Sequence, residues 1–399
     1  MHVIRRSSVI LSPLCAALAL GAGCSDPSSD PARAAQPVVY GTDDRQDVYA
    51  HPDANLRALA QQSIVALMRD TKVNVTNPAN VTFNSTDTLS NTQNLCPGQR
   101  FEDDPAYSDC SGTLVDDDIV LTAGHCFTAP GADAGPDGPS TCQNTRFVFK
   151  YYREAAGRLA TITTADVFSC AEIVTAVNRT NPDGTVQDYA FVRLDRSAVP
   201  RFTPARVARA NAPTAVGQSV TVIGFGSGIP AKIDSGGAVT NLRASDGDYF
   251  EVNTDTFSGN SGSGVFDTAT RNMIGVLVRG ATDYVPVDGG ACMVVNVCAS
   301  APSGTACSGE SVNRLQGPFD DFCGRRPASR LCGGSGDAGA TGDAGATPDA
   351  SPSTDGGTPA PAPTSGGCSA GSRATHGRSA LALAALVLGL AARRRRSRG

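Results

Sequence analysis

Short runs in which apolar and polar residues alternate recur along the chain between about residues 38 and 332. Successive side chains of a strand point to opposite faces, so this period predicts strands with one buried face. Many short strands, glycine-rich turns and little helical periodicity predict an all-β double barrel. A closing helix is expected only over residues 310–323, broken near Gly317 and Pro318. The predicted strands are Ser63–Met68, Thr113–Val115, Ile119–Thr122, Arg146–Tyr152, Ala160–Phe168, Glu172–Val177, Val220–Gly226, Tyr249–Val252 and the run that follows Asp188.

The N-terminal end of the chain departs from this pattern. Residues 1–24 combine an arginine pair, an apolar core and a small-residue exit that ends at Cys24, which predicts an export signal. Two processing routes stay open, lipid attachment at Cys24 and ordinary cleavage near it or within residues 26–36. Residues 25–37 are rich in Ser, Pro, Ala and Asp and predict a flexible pro-segment or tether.

The C-terminal end also lacks strand periodicity. Residues 333–365 are almost wholly Gly, Ala, Ser, Thr, Pro and Asp, which predicts a linker that buries no core. Residues 366–399 combine Cys368 with an apolar run that is shorter than the roughly 20 residues of a spanning helix, and then an arginine cluster. This arrangement resembles the C-terminal sorting signal of myxobacterial surface proteins, which implies an anchored Cys368. A plain membrane tail is the alternative.

A candidate nucleophile, Ser261, lies among small residues in the stretch from Asp255 to Phe266. Glycines at 259, 262 and 264 allow sharp turns there and let backbone N–H groups approach a ligand closely. A serine hydroxyl is a poor nucleophile until a base takes its proton and hydrogen-bond donors stabilise the oxyanion. Without a base and an acid elsewhere, the stretch indicates only a turn between two strands.

One of the four histidines is suited to be that base. His2 lies in the leader, His376 lies in a basic tail, and His51 lies in a polar segment with no strand beside it. His125 instead closes two predicted strands at a tight Ala-Gly-His-Cys corner that cysteines flank. A purely structural histidine at a strand end is the alternative reading for this residue alone.

The candidate acid is Asp188, at the start of a strand whose residues 190, 192 and 194 are apolar. A carboxylate at the mouth of such a strand can accept an imidazole N–H and fix its tautomer. A solvated aspartate at a strand start is the alternative when the residue is considered by itself.

The three candidates occur in the chain order His125, Asp188, Ser261, which is the order of chymotrypsin. The motifs LTAGHC, DYAFVRL and SGNSGSGVF resemble those of trypsin-like serine peptidases over residues 38–332. The resemblance implies a chymotrypsin-like fold of two six-stranded β-barrels with a short C-terminal helix. It also implies that Ser261 attacks the substrate, His125 is the base, Asp188 orients the base, and the N–H groups of Gly259 and Ser261 form the oxyanion hole.

One residue departs from trypsin itself. Asn260 precedes the nucleophile, where trypsin has an aspartate that pairs with a freed N-terminal amine. An asparagine cannot form that ion pair, so activation of the trypsin type is not expected. This serine motif, with the segments 40–45, 223–232 and 278–284, looks closer to the secreted bacterial branch related to glutamyl endopeptidase.

The substrate pocket follows from the same resemblance. The position six residues before the nucleophile, at the base of the pocket in trypsin-like enzymes, is Asp255. A carboxylate there favours Arg or Lys before the scissile bond. The glutamyl endopeptidase branch prefers acidic residues before the scissile bond instead. In this chain the corresponding pocket wall includes Val278, Arg279 and Gly280, and the pocket histidine of that branch is missing from it. Acidic and small apolar residues, and a turn-capping role for Asp255, therefore stay open.

Cysteine usage indicates an oxidising compartment. Two of the 13 cysteines lie in the leader and Cys368 in the tail, which leaves ten between Cys96 and Cys332. The family resemblance implies a Cys110–Cys126 bridge across the histidine corner, and the other eight cannot be paired from the sequence. A zinc site among residues 292–332 is the weaker alternative, because no histidine lies near them.

Composition limits the possible functions further. The net charge is −5, charged residues make up 18% of the chain, and no basic face with interleaved aromatics indicates nucleic-acid binding. We expect a monomeric, exported serine endopeptidase that acts on polypeptides without a cofactor or metal. It meets the membrane through its C-terminal segment or a lipid on Cys24. A catalytically inactive binding module at the cell surface is the alternative, and an esterase on the same fold is a remote third.

Overall fold

The computed structural model describes residues 39–128, 142–208, 212–213, 215–243, 247–287, 289–298, 307 and 309–333. The predictions for the export signal with Cys24, the tether at 25–37, the linker and the sorting segment with Cys368 lie outside the described residues. Within the described ranges, no helix is both long enough and apolar enough to cross a membrane.

Strands dominate the described part of the chain. Helices lie at α1 (Ala54–Gln62), α2 (Leu89–Gln93) and α3 (Gln316–Arg325). In chain order, the strands are β1 (Val39–Tyr40), β2 (Gln46–Asp47), β3 (Ile64–Arg69), β4 (Val73–Asn74), β5 (Thr82–Phe83), β6 (Cys110–Leu114), β7 (Ile119–Thr122), β8 (Thr145–Val148), β9 (Arg153–Ala155), β10 (Arg158–Leu159), β11 (Val167–Thr180), β12 (Val186–Leu194), β13 (Ser219–Gly224), β14 (Lys232–Asn241), β15 (Tyr249–Val252), β16 (Gly264–Asp267), β17 (Met273–Arg279), β18 (Tyr284–Pro286), β19 (Met293–Val295), β20 (Val297–Cys298) and β21 (Glu310–Arg314).

Six strands close into a first barrel in the order β11-β12-β7-β6-β3-β8, and β8 pairs back to β11. The alternation of β3 explains its packing. Val65 and Leu67 face the barrel interior, where they join an apolar cluster. Ile64, Ala66 and Met68 point the other way, into a larger cluster that reaches the second barrel.

The second barrel follows the order β13-β16-β17-β21-β15-β14, and pairing between β13 and β14 closes the ring. Strand β2 is added to the outer edge of β14. The interior again takes alternate residues, such as Val220 and Val222 of β13 and Leu277 of β17. The prediction of a double six-stranded barrel is confirmed.

An apolar layer joins the two barrels and the C-terminal helix. It contains Ile223 and Val276 from the second barrel and Phe191 from the first. Phe319 and Phe322 of α3 pack their rings against Phe191, with centroid distances of 5.0 and 4.6 Å. The helix therefore packs on this apolar layer beside β12.

Some local predictions were wrong. Of the run predicted as a strand at 160–168, only residues 167 and 168 are strand, because Thr164–Asp166 form a 3-10 turn. The predicted run 172–177 is the middle of one long strand, β11. Residues 310–314 form β21 instead of helix. The helix is not broken at Pro318, because this residue lies in the first turn of α3, where a missing N–H removes no helical hydrogen bond.

Ten cysteines of the described residues form five disulfides, and the predicted Cys110–Cys126 pair is among them. All five cysteines between 292 and 332 are bonded in this way, so the zinc alternative finds no free thiolate there. The other pairs are Cys96–Cys292, Cys142–Cys170, Cys298–Cys307 and Cys323–Cys332.

Candidate active site

The corner that holds His125 is a short 3-10 turn, Gly124–Cys126, directly after β7. The Cys110–Cys126 disulfide ties this turn to the start of β6. The His125 side chain keeps 32% of its surface exposed. The turn is thus fixed by a covalent bond while the imidazole still reaches solvent.

Asp188 of β12 holds this imidazole from behind. Its carboxylate is buried and accepts the backbone N–H of His125 at 3.0 Å. The other carboxylate oxygen lies 2.8 Å from Nδ1 of the ring. An ionised carboxylate only accepts, so we assign the ring proton to Nδ1, which leaves the Nε2 lone pair free to take a proton.

Burial and charge act in opposite directions on His125. Burial lowers its pKa, and Arg279 lowers it further, but the charge and hydrogen bond of Asp188 outweigh both. The pKa of His125 is therefore raised above the ordinary value of 6.5. A base whose protonated form is stabilised in this way is suited to proton transfer near neutral pH.

Ser111 of β6 attaches the serine loop to the histidine corner. Its N–H donates to the Ser261 carbonyl at 2.8 Å, and its hydroxyl donates to the Gly259 carbonyl at 2.7 Å. The same hydroxyl accepts the Phe225 N–H at 3.0 Å. Because Ser111 follows Cys110 directly, these bonds hold Ser261 beside the disulfide of the His125 turn.

Two backbone N–H groups of the serine loop point away from the protein's own acceptors. The N–H of Ser258 donates to Asp283, that of Asn260 to Phe257, and that of Gly262 to Leu277. Among the described residues, those of Gly259 and Ser261 have no acceptor. Gly259 has a φ of +96°, and a Cβ there would lie 2.7 Å from the Phe225 carbonyl oxygen, so only glycine fits this turn.

Asn260 stabilises the loop from within. Its side chain is buried, and its Oδ1 accepts the Ser263 hydroxyl at 3.2 Å. A neutral amide needs no cationic partner. Asn260 therefore stabilises the loop without the N-terminal amine that pairs with the aspartate of trypsin.

The carboxylate of Asp255 contacts the start of the domain. Its two oxygens accept the N–H groups of Tyr40 at 2.8 Å and Asp44 at 2.7 Å. Its own N–H donates to Asp234, a second buried carboxylate. Both oxygens thus accept hydrogen bonds from backbone donors. This geometry favours a structural role for Asp255 over recognition of a substrate side chain.

The predicted pocket wall lies at the end of β17. Val278 is buried in the layer between the barrels, and the Arg279 guanidinium lies 4.9 Å from the ring centre of Tyr249. Gly280 follows this strand. Since Arg279 also lowers the pKa of His125, the end of this wall lies within electrostatic reach of the histidine.

A cavity of about 530 Å³ opens on the other side of His125. The Cys110–Cys126 disulfide, Arg69 and Asp109 contribute to its lining. This space lies between the histidine corner and the end of β3, and it is large enough for several side chains of a bound polypeptide.

A serine–histidine contact lies elsewhere, at His51, whose Nε2 is 3.1 Å from the Ser235 hydroxyl. The Nδ1 atom of His51 accepts the Asp53 N–H, so its Nε2 carries the proton. A ring in this tautomer donates to the serine and cannot take its proton.

Cys110, His125 and Cys126 also form the one group of potential metal ligands among the described residues. Both sulfurs belong to the same disulfide, whereas a metal binds thiolates. The donor set therefore does not suit a metal ion.

One family model matches part of the chain. Residues 110–276, which include all three candidate catalytic residues, match the family model of the trypsin-like peptidase domain. This part of the chain is therefore similar to a trypsin-like peptidase domain. No curated protein sequence matches the chain.

Among solved structures, the chain is similar to a Glu endopeptidase in complex with MPD, at 16% identity and a TM-score of 0.42 over 73% of this chain and 100% of that chain. It is also similar to the Vibrio cholerae VesB protease, at 12% identity and a TM-score of 0.38 over 70% of this chain and 67% of that chain.

Sequence reasoning missed two residues of the peptidase site. Ser111 attaches the serine loop, and Asn313 of β21 contacts the backbone of Asp188. Ser111 directly follows a cysteine that was already assigned to the histidine corner, which is a weak local signal. Asn313 lies 125 residues from its partner in the chain and carries no signal of its own.

Proposed function

We propose that this protein is a serine endopeptidase that hydrolyses peptide bonds through Ser261, His125 and Asp188. One arrangement supports the proposal most strongly. A hydrogen-bonded His125–Asp188 pair lies beside a serine loop in which the N–H groups of Gly259 and Ser261 lack acceptors among the described residues. The match to the trypsin-like peptidase domain supports the same reaction class.

The proposed reaction has two stages. Ser261 Oγ attacks the scissile carbonyl carbon while Nε2 of His125 takes the hydroxyl proton. The carbonyl oxygen becomes an oxyanion that the N–H groups of Gly259 and Ser261 stabilise. The C–N bond breaks, the leaving amine takes the proton from His125, and an acyl-enzyme remains. Water then attacks this ester with the same base, which releases the acid and restores Ser261.

The substrate class is a polypeptide, and the residue preference stays a prediction. The cavity beside His125 offers room for residues that follow the scissile bond. A preference for Arg or Lys through Asp255 has less support, because two backbone donors already occupy that carboxylate.

We also propose that the enzyme is exported and anchored at the cell surface. Five disulfides are compatible with an oxidising compartment. Retention through Cys368 is tested by fractionation of cells that express Cys368→Ala. Unchanged surface retention would leave a plain membrane tail or the Cys24 lipid as the anchor.

A fluorophosphonate probe separates the enzyme from an inactive binding module. Only an activated serine reacts with this probe, so we expect covalent labelling that mass spectrometry maps to Ser261. His125→Ala should abolish the labelling, because the serine then has no base. Absence of labelling in the wild-type protein would favour the binding module.

A further inference from the structure

Asn313 of β21 contacts the Asp188 segment with its whole side-chain amide. Its Oδ1 accepts the Asp188 N–H at 2.8 Å. Its Nδ2 donates to the carbonyl oxygens of Val186 and Asp248, both at 3.2 Å. Only 3% of Asn313 is exposed, so these three bonds satisfy an amide that water hardly reaches.

These partners fix the orientation of the amide. Asp188 offers a backbone donor, which requires the amide oxygen, whereas Val186 and Asp248 offer acceptors, which require the amide nitrogen. A rotated amide would face each partner with the wrong atom. The side chain is therefore held in one orientation.

The contact also connects the two barrels at the site. Asn313 belongs to the second barrel, where it pairs with Tyr249 and Val276 in the strand register. Val186 and Asp188 belong to β12 of the first barrel. The backbone N–H of Asp188 is thus held from the second barrel, while its carboxylate holds His125 in the first.

We propose that Asn313 is a positioning residue for the His125–Asp188 pair. The inference rests on the proposed function, in which Asp188 orients the catalytic base. Asn313 fixes the backbone at Asp188, and this sets where its carboxylate meets Nδ1 of His125. Small displacements of catalytic groups reduce rates by about a hundredfold even when they originate away from the reacting atoms.

A neighbouring cavity makes the role testable. A space of about 200 Å³ borders Asn313 and is lined also by Val186 and Asp248. In Asn313→Ala, a water molecule can enter from this space and find one donor and two acceptors where the amide was, a suitable set for an ordered water. In Asn313→Leu, a side chain of similar size fills the position and leaves all three groups without partners.

The two variants therefore distinguish hydrogen bonding from packing. With the full-length protein and a peptide substrate, we expect kcat to fall about a hundredfold in Asn313→Leu and about tenfold in Asn313→Ala, with KM within about twofold of wild type. A role in packing alone predicts the opposite order, because leucine preserves the volume and alanine does not.

The pH profile supplies a readout that simple destabilisation does not move. Among the described residues, the charged groups that act on His125 are Asp188, which raises its pKa, and Arg279, which lowers it. A displaced Asp188 stabilises the imidazolium less. The acid limb of kcat/KM should therefore shift to lower pH in Asn313→Leu, and by a smaller amount in Asn313→Ala.

The matched control is Asn253→Ala. Asn253 also accepts a backbone N–H within the second barrel, from Ala238 at 2.8 Å, in a bond in which Asp188 takes no part. We expect this variant to retain the wild-type kcat and acid limb.

The proposal is overturned if Asn313→Leu is at least as active as Asn313→Ala, or if the acid limb moves in neither variant. It is also overturned if Asn253→Ala gives the same losses. Should Asn313→Leu fail to fold, the acid limb of Asn313→Ala decides alone. If wild type lacks peptidase activity and Ser261 labelling, the proposed function itself fails.

Discussion

At the scale of single residues, the proposed roles of His125 and Asp188 rest on one short contact. The 2.8 Å contact between Nδ1 and the carboxylate fixes the tautomer, and the charge of Asp188 raises the pKa of the ring. The sequence could identify both residue types because each lies in a recognisable strand pattern. The pKa shift itself follows from the distance, which no sequence pattern gives.

Asp188→Asn tests this pair directly. The amide keeps the size of the side chain but removes the charge and presents a donor that disfavours the Nδ1–H tautomer. We expect kcat to fall about ten-thousandfold. We expect wild-type activity to fall as the pH drops through the raised pKa of His125, so the acid limb should move to lower pH in the variant. A pH–rate profile of both proteins is the measurement, and an unmoved acid limb would contradict the role of Asp188.

Asp255 has contacts that residue spacing does not reveal. Counting back from Ser261 identified it as a pocket residue, but its oxygens contact Tyr40 and Asp44, more than 200 residues earlier in the chain. Burial and then the nearby charge of Asp234 raise the pKa of Asp255 to about 8. This long-range partnership has no local signal in the sequence.

Asp255→Ser separates the two roles of this residue. We expect the relative cleavage of peptides with Arg, Glu or Ala before the scissile bond to stay unchanged, while stability falls. The folded protein binds more protons than the unfolded chain between pH ~3.9 and about 8, so wild-type stability declines as the pH rises across this window. The stability difference between wild type and variant should therefore narrow from pH 6 to pH 8.

Denaturant unfolding at both pH values measures this difference. Asp183→Ser, in an exposed turn, is the control and should leave both stability and specificity unchanged. Loss of an Arg preference in Asp255→Ser would instead establish the pocket role.

At the scale of elements, strands with clean alternation were predicted well and interrupted ones were not. The bounds of β7 and β15 agree with the prediction. Register shifts between Cys170 and Glu172 and between Ile173 and Thr175 disturb the alternation of β11, so the prediction found only part of this strand. Helix α1 was missed, although Asp53 caps it by accepting the N–H groups of residues 55 and 56.

The 3-10 turn that contains His125 depends on a close approach to β11. A Cβ on Gly124 would lie 1.8 Å from the Val177 carbonyl oxygen, so Gly124→Ala forces the turn away from the strand. We expect a loss of stability of about 1–3 kcal/mol and a loss of most peptidase activity. Thermal unfolding and peptide hydrolysis measure the two effects. Gly317→Ala is the control, because no atom lies within 4 Å of its added Cβ, and it should change neither stability nor activity. Equal losses in Gly124→Ala and Gly317→Ala would refute this account.

At the scale of the whole molecule, buried ion pairs join segments that are distant in the chain. Lys232 of β14 is only 5% exposed and lies 2.5 Å from Asp47 and 2.6 Å from Asp104. Arg153 of β9 binds the same Asp104 at 2.5 Å. The segment before β6, strand β2 and strand β14 therefore share one charged cluster, whose members the sequence did not reveal.

Removal of the cation from this cluster should be costly. Lys232→Met leaves Asp47 without its lysine partner, whereas Asp104 keeps its ion pair with Arg153. We therefore expect a loss of about 3 kcal/mol in the free energy of unfolding. Lys72→Met removes a more exposed pair with Asp109 and should cost less than about 1 kcal/mol. Denaturant titration compares the two, and similar small losses would mean that the buried cluster contributes little.

The central claim concerns the whole enzyme, namely that Ser261 is the nucleophile of a peptidase. Hydrolysis of a mixed peptide library by wild type and by Ser261→Ala, purified in parallel, tests it most directly. Removal of the nucleophile should leave only the catalysis that the remaining site provides, a loss of about a million-fold in kcat. Wild-type rates of peptide hydrolysis in Ser261→Ala would contradict the assignment.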